Sequence, residues 1–321
     1  MTSERGRSDR FAGIRYLMPK WSAKLGVGLV IVVLIVAFGL IGPVFSVDPR
    51  DSGYKGLQPP SGEHWLGTTK LGYDVFAQLA TGTRESLYVG LVGGLVAMFL
   101  AIVFGIIAGY FGSWLDEILM LATNIMLVIP GLPLVMVIAA YVQNTEGLGD
   151  FARSATLVAL ILGVTGWAGS AVVLRAQARS LRTREYVYAA RVAGEKGLRI
   201  IFVEILPNLV PLIAAQLIFG VMAAVLGEAG LSYLGLGPTN SITLGTMLND
   251  AQTGQAVGSH AWWWFVPPGV MIALLGTGLA LVNFAIDEIV NPKLRLAPKA
   301  ARQQRKATKA GKGVAGGGAY A

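Results

Sequence analysis

Six stretches of the chain contain no charged residue: Leu25–Ser46, Leu87–Gly112, Ile118–Val142, Ala155–Leu174, Asn208–Gly227 and Val266–Ile286. A hydrocarbon core of ~30 Å takes about 20 apolar residues per helical crossing, so each stretch is long enough to span a bilayer once. The segments between them contain Pro, Gly and Asp, as expected of water-exposed connections. The pattern predicts an all-α integral membrane protein with six transmembrane helices in one domain, 25–286, without internal repeats. The first stretch exceeds the 7–15 apolar residues of a signal-peptide core, and no small-residue cleavage site follows it, so it is expected to be retained.

Composition agrees with this pattern. The chain is 54% hydrophobic and 14% charged, whereas soluble chains are roughly a quarter charged; a soluble fold would expose large apolar patches. Forty-two glycines suit close helix packing in lipid, and Gly90/Gly94 and Gly105/Gly109 form two small-xxx-small pairs on the second span. The absence of cysteine excludes disulfide frameworks, thiolate metal sites and thiol chemistry. The net charge of +8 follows from topology. Most of the 26 lysines and arginines lie in 1–24, 175–207 and 288–321, while the alternate segments hold only Arg50, Lys55, Lys70, Arg84 and Arg153. By the positive-inside rule both termini are cytoplasmic. Lipid headgroups, not nucleic acid, are the expected partner of the basic ends. The tail 297–321 lacks large aliphatic residues and is expected to be disordered.

Little in the chain suggests chemistry. Glu228 is the one carboxylate at a span, at the outer end of the fifth, so an ion relay of the kind that drives secondary carriers is not evident. Asn124, Gln216 and Asn283 are neutral and suited to hydrogen bonds between helices. His64 and His260 lie far apart, without a carboxylate at ligand spacing, and no metal site is expected. Pro130-Gly131-Leu132-Pro133 interrupts the third span and reads either as a tolerated kink or as a path-lining break. Trp262, Trp263, Trp264 and Phe265 open the sixth span, where aromatic rings anchor at the headgroup boundary. If the protein moves a solute, the energy comes from another subunit.

The loop 175–207 is amphipathic. Tyr186, Ala189, Ala190 and Ala193 share one helical face, Gly194 and Gly197 supply a stop and a turn, and Leu198, Ile201, Phe202 and Ile205 form a second face. Pro207 then opens the fifth span. Two short helices joined by a glycine-bounded turn suit docking of another protein; a pair lying on lipid is the alternative.

The run Glu185-Tyr186-Val187-Tyr188-Ala189-Ala190-Arg191-Val192-Ala193-Gly194, with Ile205-Leu206-Pro207-Asn208 beyond it, resembles the EAA loop of ABC-importer permeases of the dipeptide/oligopeptide/nickel branch. His64, Leu66, Gly67, Gly72 and Asp74 look like the outer-loop signature of the C-type subunit of that branch. Glu228 with Leu231, Ser232, Gly235 and Gly237 looks like the region after its fifth helix, and Asn291-Pro292-Lys293-Leu294-Arg295 resembles its carboxy-terminal motif. Tyr188 stands where the EAA motif has its first Glu, and Thr69 and Tyr73 replace the usual Asp and Arg of the outer loop. The segment between Gly237 and Gly245 is short, and 283–289 is more similar to relatives that carry oligosaccharides.

The resemblance implies a type I importer (MetI-like) permease fold in the bacterial cytoplasmic membrane, not catalytic by itself. It would form half of a pathway for peptides, or alternatively for oligosaccharides or nickel. Its implied partners are a homologous B-type permease, two ATPase subunits or domains of the D/F type, and an extracytoplasmic solute-binding protein. It implies no cofactor on this chain, with ATP and Mg held by the ATPases. Coupling to them would fall to Glu185, Tyr188, Ala189, Ala190, Arg191 and Gly194. A secondary carrier and a membrane scaffold are the alternatives of another class.

Overall fold

A computed structural model describes residues 23–143, 145 and 149–290. The basic segment before residue 23, the tail 297–321 and the motif at 291–295 lie outside the described residues. Within them the chain is helical, with one isolated bridge between Thr68 and Asp74. In chain order the helices are α1 (Ala23–Phe45), α2 (Val75–Phe111), α3 (Ser113–Val128), α4 (Gly131–Gln143), α5 (Ala155–Gly166), α6 (Ala168–Arg182), α7 (Glu185–Val192), α8 (Gly197–Ile200), α9 (Leu206–Tyr233), α10 (Leu244–Thr253) and α11 (Trp262–Val290). Four rods are long and apolar enough to cross a membrane: α1, α2, Gly197–Tyr233 and α11. There are six if each of the bent pairs α3/α4 and α5/α6 counts as one span.

The central mast is α2. Its most apolar window is 44% buried, against 22–28% for the windows of the other three long helices. It begins at Val75, well before the uncharged stretch at Leu87, because Asp74 caps it and Val75, Leu79, Thr83 and Ser86 are buried. Glycines on α2 let its neighbours approach. A methyl at Gly94 would lie 2.6 Å from Val221 Cγ2, and one at Gly105 would lie 2.5 Å from the Ala171 carbonyl. Both small-xxx-small pairs therefore meet other helices, Gly90/Gly94 meeting α9 and Gly105/Gly109 meeting α6. Such contact suits a bilayer, where association depends on backbone approach and not on water release.

Both bent pairs break at identifiable residues. The interruption at Pro130 turns α4 by 88° from α3, far beyond a tolerated kink, because proline withholds a donor and clashes with the preceding turn. The break between α5 and α6 bends the chain by 45°. It falls at Trp167, which is buried and packs its ring 4.3 Å from that of Phe104; the uncharged pattern of 155–174 carried no sign of it. Pro207 does not open a separate helix. Residues Gly197–Tyr233 form one rod with a π-helical turn at Ile201–Ile205 just ahead of the proline, a usual way to absorb an irregularity in the i→i−4 ladder.

Candidate functional site

The sequence-predicted coupling residues lie at the end of the mast near Phe111. There α7 starts after Arg184, whose backbone is extended, and places Glu185 in its first turn and Arg191 in its last, each favourable to the helix dipole. It stops at Gly194, whose φ of +80° is accessible to glycine at little cost. The Glu195 amide donates to the Ala190 carbonyl at 3.1 Å and the Gly194 amide to the Arg191 carbonyl at 3.0 Å, the paired bonds of a Schellman stop. Gly197 then restarts the helix with its Cα side against Tyr110 and Phe111.

Val187 anchors this elbow. It is fully buried and belongs to one cluster with Tyr110, Leu174, Ala178, Ile200, Ile201 and Ile205. Arg191 lies over the Tyr110 ring at 5.1 Å. Nearby, Arg175 grips Asp116 through two hydrogen bonds of 2.6 and 2.7 Å, tying the first turn of α3 to α6. The buried faces differ from those predicted by periodicity. Tyr186, Ala189 and Ala193 are exposed, and only Ala190 of that face packs inward. Leu198 and Phe202 of the second face are also exposed, while Ile200, Ile201 and Ile205 are buried. Glu185, Tyr188, Ala189 and Arg191 instead line a cavity of about 640 Å³ with Arg179, Arg182 and Thr183. Tyr188 is 67% exposed there, and its phenol makes no ion pair in place of the motif's glutamate.

A second, smaller cavity of about 180 Å³ opens where both helix breaks converge: Gly131, Leu132 and Val135 line it from α4, and Thr165 and Gly166 from the end of α5. Gln216 and Ser170 close one wall, with Ser170 Oγ donating to Gln216 Oε1 at 2.9 Å. Of the residues around this cavity, Gly131 and Leu132 belong to the Pro130-Gly131-Leu132-Pro133 interruption that the sequence marked; nothing in the sequence marked the others as lining one space.

The outer-loop and post-span-five residues gather at the opposite end of α2. Asp74 Oδ1 accepts the Ala77 amide at 2.8 Å, and its Oδ2 lies 2.7 Å from His64 Nδ1, both side chains being buried. A carboxylate ten positions along the chain thus holds a histidine expected to have none nearby. Gly67 and Gly72 turn at φ of +69° and +84°, where any side chain would strike the backbone of Gln58 or Tyr54, and Leu66 packs against the same cluster as Val75. Trp263 donates to the Thr68 carbonyl at 3.2 Å and Trp264 is buried, so of the aromatic run only Trp262 is largely exposed.

Glu228 is fully buried, unlike a residue at an exposed helix end. Its Oε1 accepts from Ser232 Oγ and Thr243 Oγ1 at 2.6 Å each, and its Oε2 from Ser86 Oγ at 3.1 Å. A buried carboxyl group is tolerated when its oxygens are hydrogen-bonded in this way. The knot joins α2, α9 and the cap of α10. Leu231 is buried beside it, Gly235 ends α9 at φ +81°, and Gly237 presses on Ser232. These signature residues build the cap of the bundle and form no reactive grouping. Among the described residues no three His, Cys, Asp or Glu come together as metal ligands would.

Residues 101–296 match the family model described as "Binding-protein-dependent transport system inner membrane component". The chain is 35% identical over 272 residues to a dipeptide transport system permease protein, DppC, of Bacillus subtilis, covering 84% of this chain and 81% of the relative. It is 33% identical to the oligopeptide transport system permease protein OppC of the same organism, over 84% and 85% of the two chains. To an OppC of Mycobacterium bovis it is 29% identical over 90% and 96%.

Proposed function

The chain belongs to the family of binding-protein-dependent transport inner membrane components, and from that premise we propose that it forms half of an ATP-driven pathway importing peptides. It is a membrane permease subunit and no enzyme in itself. In this reading the four long helices and two bent pairs make six crossings of a bacterial cytoplasmic membrane, with both termini inside. The basic residues at the elbow (Arg179, Arg182, Arg184, Arg191, Lys196 and Arg199) support that orientation. A homologous permease supplies the other half of the pathway, an extracytoplasmic binding protein delivers peptide, and two ATPase subunits hold ATP and Mg.

The observation that carries this reading is the elbow. Its outward face offers small and polar groups around a cavity large enough for a protein knob, while Val187 bolts its inward face to the bundle. ATPases closing on ATP would push α7. The push passes through the Schellman turn and Ile200, Ile201 and Ile205 into the Gly197–Tyr233 rod. That rod borders the inner cavity at Gln216, Phe219 and Gly220, so its movement opens or shuts the space between the helix breaks. Peptide names on the relatives, with resemblance over most of the chain, support peptide as cargo. The test is reconstitution with the companion permease, ATPases and binding protein in liposomes. Peptide accumulation should require ATP and all four components; accumulation without the ATPases would refute the proposal.

A further inference from the structure

The inward face of α3 is fixed by three residues. Thr123 is buried, Asp116 is held by Arg175, and Met126 packs into the cluster around Leu174. The opposite face is bare. Trp114, Glu117, Leu121, Asn124 and Val128 are all exposed, the three apolar ones at 66%, 61% and 81%. Their alternate spacing of three and four residues is that of a helix packed lengthwise on another helix. Among the described residues no other helix covers this seam.

Depth decides what can cover it. α3 starts where α2 ends, and Gly131, just past the far end of α3, shares a cavity with Gly93, Gly94, Ala97 and Met98 of α2. The helix therefore returns alongside α2. Asn124 lies ~16 Å beyond Ser113 at 1.5 Å per residue, near the middle of a ~30 Å hydrocarbon core. Its side chain makes no hydrogen bond among the described residues. The other two amides suited to joining helices are turned into the chain itself: Gln216 accepts from Ser170, and the Asn283 side-chain oxygen is buried. Lipid tails offer Asn124 nothing, and an amide left unpaired in an apolar medium is costly. Leu121, Leu127 and Val128, its exposed neighbours one turn away, make the surroundings too apolar for a water-lined channel. A single amide in an apolar seam is the arrangement that sets helix register, and in a bilayer such groups hydrogen-bond across helices.

We propose that the outward face of α3 is the seam along which this chain packs on a helix of the companion permease, with Asn124 hydrogen-bonded to an amide or hydroxyl side chain of that helix at mid-membrane. The proposal rests on the reading of the chain as one half of a paired permease. Of the partners in that reading only the companion reaches this depth; the ATPases and the binding protein act outside the hydrocarbon.

The test uses the complete importer in nanodiscs. A photoreactive benzoylphenylalanine in place of Leu121 or Val128 should, on illumination, join to one helix of the companion permease, identified by mass spectrometry. Adducts with lipid alone, with a second copy of this chain or with transported peptide would each overturn the proposal. A second measurement follows the pairing of the two permeases in liposomes of rising lipid-to-protein ratio, by energy transfer between labels on them. Asn124→Leu should weaken the pairing about threefold, the usual worth of one interhelical hydrogen bond in a bilayer. Pairing equal to or tighter than wild type, as expected where the residue faces lipid, would overturn the proposal. The peptide uptake assay separates the two levels. Wild type that accumulates no peptide fails the underlying reading, whereas normal uptake with seam adducts confined to lipid fails this inference alone.

Discussion

Val187→Ala isolates the mechanical attachment of the elbow. Val187 is the one fully buried residue of α7, at the centre of a cluster that includes Tyr110, Leu174 and Ile205. The substitution removes two methyl groups, about 0.8 kcal/mol each or roughly 1.6 kcal/mol together, before any cost of the void left behind. At about 1.4 kcal/mol per factor of ten, the ratio of docked to undocked α7 falls roughly fifteenfold. The other ties are small: Arg191 over Tyr110 is worth only about 0.5–1 kcal/mol at an exposed site, and Ala190 adds a single methyl to the cluster. Hydrogen exchange in the reconstituted importer should show faster exchange of the Ala193 and Glu195 amides, whose bonds close the helix. The ratio of peptide imported to ATP hydrolysed should fall while hydrolysis continues. Val192→Ala, on the same helix at a position 72% exposed, should leave both unchanged. Faster exchange with an unchanged transport ratio would refute the reasoning, because force would then reach the bundle without this attachment.

Two further outcomes follow from the geometry. Glu228→Ala strips the acceptor from Ser86, Ser232 and Thr243, at about 1–3 kcal/mol for a buried group left unsatisfied. It should lower the melting temperature of the purified complex, and Glu228→Gln, which keeps one acceptor oxygen, should recover much of the loss; equal melting of all three forms would remove the knot's structural role. Gly194→Asp meets no neighbour within 4 Å, but it forces a side chain into φ +80° at a cost of about 1–2 kcal/mol and puts a charge on the docking face. Uptake should drop while ATP hydrolysis persists; normal uptake by an intact complex would contradict the role given to this turn.

The long apolar helices α1, α2, α9 and α11 were legible because lipid demands long uncharged runs, and the elbow because its glycines and motif are local. Burial within the elbow was not legible. Periodicity put Tyr186, Ala189 and Ala193 on an apolar face, but the bundle offers a socket only to Val187, and helix rotation is set by a partner surface remote in sequence. The break at Trp167 escaped notice for a similar reason: Trp167 packs against Phe104, a neighbour remote in sequence, and the glycines beside it are common along every span. Pro130, by contrast, announced its break through its missing donor. The pairing of His64 with Asp74 and the filling of Glu228 by Ser86, 142 positions away, depend on loop closure and long-range packing that residue spacing does not encode.

The most direct measurement uses the absence of native cysteine in this chain. Ala189→Cys places a single thiol at the exposed face of α7, where a short bifunctional crosslinker can capture whatever docks there in membranes holding the complete importer. The account predicts a crosslinked band containing the ATPase subunit, with a yield that changes when ATP is added, and no such band from a cysteine at Gly26, where nothing lies within 4 Å. Recovery of lipid adducts alone from Ala189→Cys, in membranes where the ATPases copurify with the complex, would contradict it.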